Sequence, residues 1–381
     1  MDLKTYLLSM SFSKLFKIFK FSVVSKTFRP LHGDYKSSVF FILLTIYSII
    51  ICGFAGLRCI YTFTDTNVKL METVFAALIV QGFGQTIVKN LCGLPFQREF
   101  EYLVDWIEEL NAKVEDNELI RGILEEELAR SKKYSLIFLE CVSLMFFICG
   151  ILTTYNWLSN DYICIIIPNL PRDTYPVIYN IVQLTGLYIA AFSIIISDLA
   201  IVFIGFYLMG FMMFTNKLIQ SHTDIENLQK CPDLLMHIMQ NHLEIIRILG
   251  IFNEAVKLTS FLQLLFSTFT FLTLIFGIQM FKGELIMYFG FATLMIQLAL
   301  LCLFGQMIRS QTEEIFINLY LTNWYELSLK EQKTIQMMMI NSCEPIGLKA
   351  AGMYDITLMS LIQILKLSVS YSAIIIAFTR D

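Results

Sequence analysis

Charge is what this sequence has least of. Only 16% of its 381 residues are charged, against 56% hydrophobic, and the mean hydropathy is +0.64. A soluble domain carries about 25% charged residues. Here the deficit is gathered into long uncharged runs, so a length that would suggest two or three soluble domains instead describes an integral membrane protein. Histidine is scarce too: His32, His222, His237 and His242 form no HExxH or other close ligand pair. The nine cysteines form no CxxC pair, which argues against a zinc site or a disulfide framework. With 28 basic against 32 acidic residues there is no basic surplus for nucleic acid. Water-facing segments hold no nucleophile–base pair, phosphate loop or metal cluster, so neither an enzyme nor a cofactor is expected. The N-terminus places Lys4, Lys14, Lys17, Lys20 and Lys26 before any long apolar run, unlike a signal peptide.

A membrane-crossing helix needs about 20 mostly apolar residues. Seven runs qualify. They are Ser37 to Leu57; Thr73 to Val88, extendable to Val68 past Glu72; Tyr134 to Leu158, interrupted by Glu140; and Val177 to Phe214, interrupted by Asp198. Leu258 to Phe281 and Leu285 to Ile308 follow, joined by the turn Lys282–Gly283–Glu284, and the last runs from about Met353 to Phe378 with Asp355 and Lys366 inside. The fourth is too long for the bilayer alone. Residues 1–36 and the connections 89–133, 215–257 and 309–352 together hold 22 of the 28 Lys and Arg. By the positive-inside rule these segments are cytoplasmic. The expected fold is therefore all-α, with seven transmembrane helices, a cytoplasmic N-terminus and an extracellular C-terminus. That is opposite to G-protein-coupled receptors, whose DRY-type triplet and NPxxY are also missing.

The cytoplasmic connections read as helices: Ile225 to Lys257, Thr312 to Leu321 and Lys330 to Ile340 carry helical apolar spacing, with breaks near Asn323 and Ser328. They predict a helical anchor domain below the membrane. The organisation is then a cytoplasmic segment over 1–36 with an interfacial helix, a six-helix bundle over 37–308 holding the ligand pocket, anchor helices over 309–352, and a pore-lining seventh helix over 353–381. Residues 3–20 supply the interfacial helix, apolar and dotted with lysines that could meet anionic lipid. Ser159 to Pro176, with Pro168, Pro171 and Pro176, reads as a stiff outer lid.

The C-terminal third carries a motif. Trp324 and Met339 precede Ser342–Cys343–Glu344–Pro345–Ile346–Gly347–Leu348–Lys349–Ala350–Ala351–Gly352, and then comes Leu365–Lys366–Leu367–Ser368–Val369–Ser370–Tyr371–Ser372. A proline, a leucine three residues on, an Ala/Gly cluster and a helix ending in Ser-Tyr-Ser resemble the insect odorant receptors. The related gustatory receptors carry Thr-Tyr, five hydrophobics and Gln-Phe; here Ser370–Tyr371 is followed by five residues and Ala377–Phe378, so the gustatory type is the alternative. The resemblance implies an odorant-gated, nonselective cation channel whose subunits each give the last helix to a central pore. It implies a hetero-tetramer with a shared co-receptor subunit, small volatile odorants as ligands, and a place in the plasma membrane of olfactory neuron dendrites. The chain lacks the co-receptor's long insertion between the fourth and fifth spans, and so looks like a tuning subunit.

On the last helix Gln363, Leu367, Tyr371, Ile374 and Phe378 recur as one stripe. A hydrophobic stripe can close a pore by dewetting, and the resemblance places Ile374 and Phe378 at the family's gate. Ordinary helix packing would give the same stripe. For the pocket, the outer halves of the spans supply Phe75 and Ile79; Gly150, Thr153 and Trp157; Leu184, Tyr188 and Phe192; and Tyr288 and Phe291. Glu140 and Asp198 read as anchors at the inner water boundary rather than a transporter's carboxylate pair, since no internal repeat accompanies them. Lys366 is left between a role in permeation and a side chain that snorkels.

Overall fold

The computed structural model describes residues 12–29, 35–64, 70–160, 165–168, 170, 174–222, 233–281 and 285–380, with backbone only at 62–64, 149, 152, 153, 156–160 and 378–380. The turn at 282–284, the N-terminal residues 1–11 and the connection 223–232 lie outside them. Among the described residues ten α-helices follow one another. They are α1 (Phe12–Thr27), α2 (Tyr35–Thr64), α3 (Leu70–Leu91), α4 (Gln97–Ala112), α5 (Glu118–Asn160), α6 (Pro176–Ser221), α7 (Leu234–Met280), α8 (Leu285–Leu321), α9 (Leu329–Ser342) and α10 (Leu358–Arg380). A two-stranded antiparallel hairpin, β1 (Lys349–Ala350) and β2 (Tyr354–Asp355), sits between α9 and α10. Among the described residues, α2, α3 with its continuation, α6, α7, α8 and α10 are long and apolar enough to cross a membrane. The run expected as the third span lies within α5. The chain thus has six to seven apolar membrane-spanning helices.

At 1.5 Å rise per residue, the 46 residues of α6 and 47 of α7 extend about 70 Å each, more than twice a hydrocarbon core. Their surplus length becomes a protein core. From Ser193 to Ile219 most of α6 is buried on all sides, whereas its first turns bury only Tyr179, Gln183, Gly186 and Ala190. A helix that is apolar all round must be covered all round, and α1, α3, α5, α7 and α8 provide the cover. The amphipathic α4 adds Phe100, Leu103, Val104, Trp106, Ile107 and Leu110 at helical spacing, and Trp106 donates from Nε1 to Glu244 on α7 at 2.7 Å.

The N-terminal helix departs from expectation. Its apolar stripe, expected to face lipid, packs on protein: Phe19 stacks on Phe203 with ring centroids 4.1 Å apart, and Leu15, Phe16, Val23 and Val24 are buried. Of its lysines, Lys14 and Lys17 are exposed, Lys20 pairs with Glu108 at 2.9 Å, and Lys26 is fully buried.

The last span also begins later than the hydropathy suggested, at Leu358 rather than Met353. Asp355 explains the delay. It lies outside the span, in β2, where it pairs with Arg309 of α8 at 2.5 Å. Ser360, in the first turn of the new helix, reaches back to its N-cap, accepting from Thr357 N at 3.1 Å and donating to Asp355 O at 2.9 Å. Upstream, the break after α8 is a short 3-10 turn at Trp324–Glu326, and α9 starts with a capping box between Ser328 and Glu331. The hairpin turns through Ala351 and Gly352 at positive φ, a region where glycine is unstrained. It is pinned to α7, because Ala351 N donates to Lys257 O at 3.0 Å and Lys349 N to Asn253 Oδ1 at 3.0 Å.

Where α8 crosses this junction, a Cβ on Gly305 would stand 2.3 Å from the Ile356 backbone oxygen, whereas one on Gly250 would meet nothing. Gly305→Ala should therefore cost about 2–3 kcal/mol through overpacking, seen as a lower melting temperature and less protein at the cell surface. Gly250→Ala should be neutral or up to about 1 kcal/mol stabilising. Equal melting of the two variants would show that α8 does not need this close approach.

Candidate functional site

Helices α5 and α8 both pack on α6 without closing on each other, and the gap holds a cavity of about 470 Å³. The walls follow helical phase. From α6 come Leu184, Leu187, Tyr188, Ala191, Ile194, Ile195 and Asp198, which repeat the i, i+3, i+4, i+7 spacing of a single helix face. Phe138, Val142, Met145 and Phe146 line it from α5, and Phe289, Thr293 and Gln297 from α8. Small residues keep the space open: Gly82 on α3, Gly150 on α5 and Gly290 on α8 lie in the wall. The volume falls within the roughly 300–1,000 Å³ of small-molecule sites.

At the end of the cavity toward the α6 N-terminus, Tyr188 lies over Gly150 so closely that a Cβ there would stand 2.7 Å from the ring. The Tyr188 hydroxyl shares a hydrogen bond with Thr154 Oγ1 at 2.7 Å, and Phe146 meets the ring edge-on at 6.1 Å. Only glycine at position 150 lets α5 approach the aromatic wall so closely.

The opposite end, the cavity floor, is polar. Asp198 accepts from Lys89 Nζ at 2.6 Å through Oδ1 and 2.8 Å through Oδ2, and from Gln297 Nε2 at 3.1 Å through Oδ2. Lys89 is only 1% exposed, while the Asp198 side chain keeps 23% of its surface and lines the cavity. Behind them Lys26 donates to the Lys89 carbonyl at 3.3 Å, and the Asn90 amide bridges Thr45 and Ser193 at 3.0 and 2.9 Å. Five helices thus meet at the cavity floor: α1, α2, α3, α6 and α8.

Of the pocket residues read from the sequence, Gly150, Leu184 and Tyr188 line the cavity. Phe75 and Ile79 do not. They share a face of α3 with Gly82 but lie nearer the α3 N-terminus, where they are buried. Phe192 lies about 100° round α6 from the centre of the lining face and packs on the core. On α8, Tyr288 and Phe291 fall about 160° and 140° from the cavity-facing row. Tyr288 is exposed, and Phe291 meets Phe271 of α7 edge-on at 5.4 Å. The side chains of Thr153 and Trp157 lie outside those described.

On α10, Gln363, Leu367, Tyr371 and Ile374 all lie on exposed surface, and the Phe378 side chain is outside those described. The opposite face is buried against α7: Ser368 is fully covered and donates to Thr268 O at 3.4 Å, and Ser372 and Ile376 are buried too. Lys366 is exposed on the same helix. Glu140 is half-buried on α5 and does not line the cavity, whereas Asp198 does.

The sequence reading missed the cavity floor. Lys89 counted only as one of the basic flanking residues, and Gln297 passed as part of an uncharged run. The available signal was that Lys89, Asp198 and Gln297 each interrupt or end a long apolar helix, where an unpaired polar or charged group would be costly.

These features define a helical membrane protein with a small-molecule cavity between its spans. A family model described as "7tm Odorant receptor" matches residues 69–369, and the chain belongs to that family. In fold it is similar to the insect olfactory receptor OR5 from Machilis hrabei solved in complex with eugenol (TM-score 0.77, 14% identity, covering 99% of this chain and 100% of that one). The structure of the same receptor described without a ligand gives a TM-score of 0.76 at 14% identity, covering 98% and 99%. No curated protein sequence matches the chain.

Burial draws the Lys26 ammonium down to about 7 from its ordinary 10.5, against a partial pull upward from Asp198 and with a further push downward from Lys89. Below about pH 7 Lys26 is charged in the folded and unfolded chain alike. Between there and 10.5 only the unfolded chain keeps the proton, so stability should rise with pH across that window. In melting curves of the purified protein from pH 6.5 to about 9, Lys26→Met should flatten the rise. An unchanged slope would show that Lys26 stays protonated throughout.

Proposed function

We propose that this chain is an odour-tuning subunit of a ligand-gated, nonselective cation channel, which opens when a small, mainly apolar odorant occupies the cavity between α5, α6 and α8. The observation that carries this reading is the cavity itself: apolar walls, a few convergent polar groups and a size suited to a volatile molecule, in a chain of the odorant receptor family. The eugenol held by the solved relative supports the same ligand class here. The N-terminus is cytoplasmic, in keeping with the basic connections, and the inner ends of α6 to α9 with the hairpin form an anchor domain. Four subunits, some of them a shared co-receptor, surround a pore lined by α10. Its broad exposed face, bearing Leu367, Tyr371 and Ile374, is the surface that such an assembly would cover. The plasma membrane of olfactory neuron dendrites is the expected location.

Co-expression with a co-receptor, with currents recorded against an odorant panel, tests this reading. Gly150→Leu pushes the Tyr188 ring into the cavity and should shift dose–response midpoints by about fivefold or more at normal surface expression, since loss of even part of an aromatic contact exceeds 1 kcal/mol. Unchanged midpoints across several ligands would place the odorant elsewhere.

The gate gives a second test. Ile374→Ser makes a dewetting constriction wettable and should raise current in the absence of odorant, with ligand rank order preserved. Ile375→Ser, about 100° round the helix, should leak less. If the two leak equally, the pore runs along another face of α10.

A further inference from the structure

We propose that the cavity floor is a recognition subsite for a neutral hydrogen-bond donor, so that this receptor selects hydroxylated odorants, alcohols or phenols, over ethers, ammonium ions and carboxylates of the same size. The inference rests on the cavity being the odorant site. It deepens that reading by assigning the chemistry of the ligand's polar end.

The argument is one of unused acceptors. An ionised carboxylate offers about four lone-pair directions. Those of Asp198 are met three times, twice by Lys89 Nζ and once by Gln297 Nε2, which leaves one. The Gln297 amide is oriented by the same contact, because only its nitrogen can donate to a carboxylate. Its oxygen is thereby turned from Asp198 and has no partner among the described residues. Both groups line the cavity, so its inner end presents two acceptors to whatever enters. A hydroxyl can donate to either. An ether cannot donate to them, and would leave a carboxylate lone pair stripped of water and unmet.

Charge narrows the class further. Lys89 already neutralises Asp198 from the side away from the cavity, and Lys26 stands behind it. An ammonium ion brought to Asp198 would therefore face a lysine across the same carboxylate. A carboxylate ligand would face Asp198 itself, since buried Lys89 does not line the cavity. A neutral donor meets neither repulsion. Geometry sets the orientation: Asp198 lies fourteen residues along α6 from Leu184, about 20 Å. The hydroxyl points inward and the apolar tail runs between Phe146 and Phe289 toward Tyr188.

The test uses the full-length receptor in lipid nanodiscs and reads ligand-induced shifts of the melting temperature, which report binding without requiring the channel to open. Probes of matched size are octanol, heptyl methyl ether, octylamine below its pKa and octanoate. Octanol should bind roughly tenfold tighter than the ether, as expected for a hydrogen bond to a charged acceptor, and both ions should bind more weakly than octanol. Gln297→Leu keeps the Lys89–Asp198 pair and should reduce the octanol-to-ether ratio. The joint replacement Asp198→Leu, Lys89→Met and Gln297→Leu removes both acceptors together with the Lys89–Asp198 charge pair and should bring it close to one. Equal affinities for octanol and ether in the unaltered receptor, or a ratio that survives both replacements, would overturn the subsite. Gly150→Leu separates the two readings. If it weakens both probes, the cavity stands whatever the ratio; if it weakens neither, the cavity reading falls and the subsite with it.

Discussion

A carboxylate and an ammonium group 2.6 Å apart, between α3 and α6, hold this molecule to one arrangement of its helices. Such a pair gains little net stability, because desolvating both groups offsets much of their attraction. Separating them is another matter. Either charge alone, with Lys89 nearly sealed from solvent, would be stranded at a cost of about 3–5 kcal/mol. The register of α3 against α6 is thereby fixed, and Gln297 brings α8 to the same carboxylate. Lys26 and Asn90 add α1 and α2. The cavity sits directly above this junction, so its floor is as well determined as any part of the fold.

Above the junction packing is looser, and the residues show why. The C-terminal half of α6 carries Phe203, Tyr207, Phe211 and Phe214, all buried and in contact with further rings such as Phe19 and Trp106. Phe304 even presses its ring on Gly205, where a Cβ would stand 1.8 Å away. Toward the outer end, Gly82, Gly150 and Gly290 stand around the gap between α5 and α8, and the large side chains that might fill it line it instead. One helix thus serves as a solid axle at its inner end and as the wall of a chamber further out.

The spans could be read from the sequence because apolar runs are a one-dimensional signal. So could the helical inner connections, through their periodicity, and the family, through the Pro345 to Gly352 block that becomes the docked hairpin. What could not be read was phase and pairing. Tyr288 and Phe291 stand out in the sequence because they are aromatic, and aromatic identity does not say which way a helix is turned; Thr293 and Gln297 hold the facing positions. Lys89 and Asp198 are 109 residues apart, and nothing local marks them as partners. Asp355 appeared to belong to the last span because hydropathy cannot show that Arg309 holds it outside.

The continuity of α6, α7 and α8 has a mechanical consequence. None of them is broken where the apolar run gives way to the packed inner core, so each is a stiff rod loaded near one end. From Asp198 to Ser221 the rod is about 35 Å long, and a tilt of only about 5° about the Lys89 contact sweeps its far end through about 3 Å. The displacement grows with distance from that pivot. Any displacement that wedged α5 from α8 by a fraction of an ångström would be felt most strongly far from the cavity, in the C-terminal half of α6 and in the hairpin through which α7 and α8 grip the start of α10.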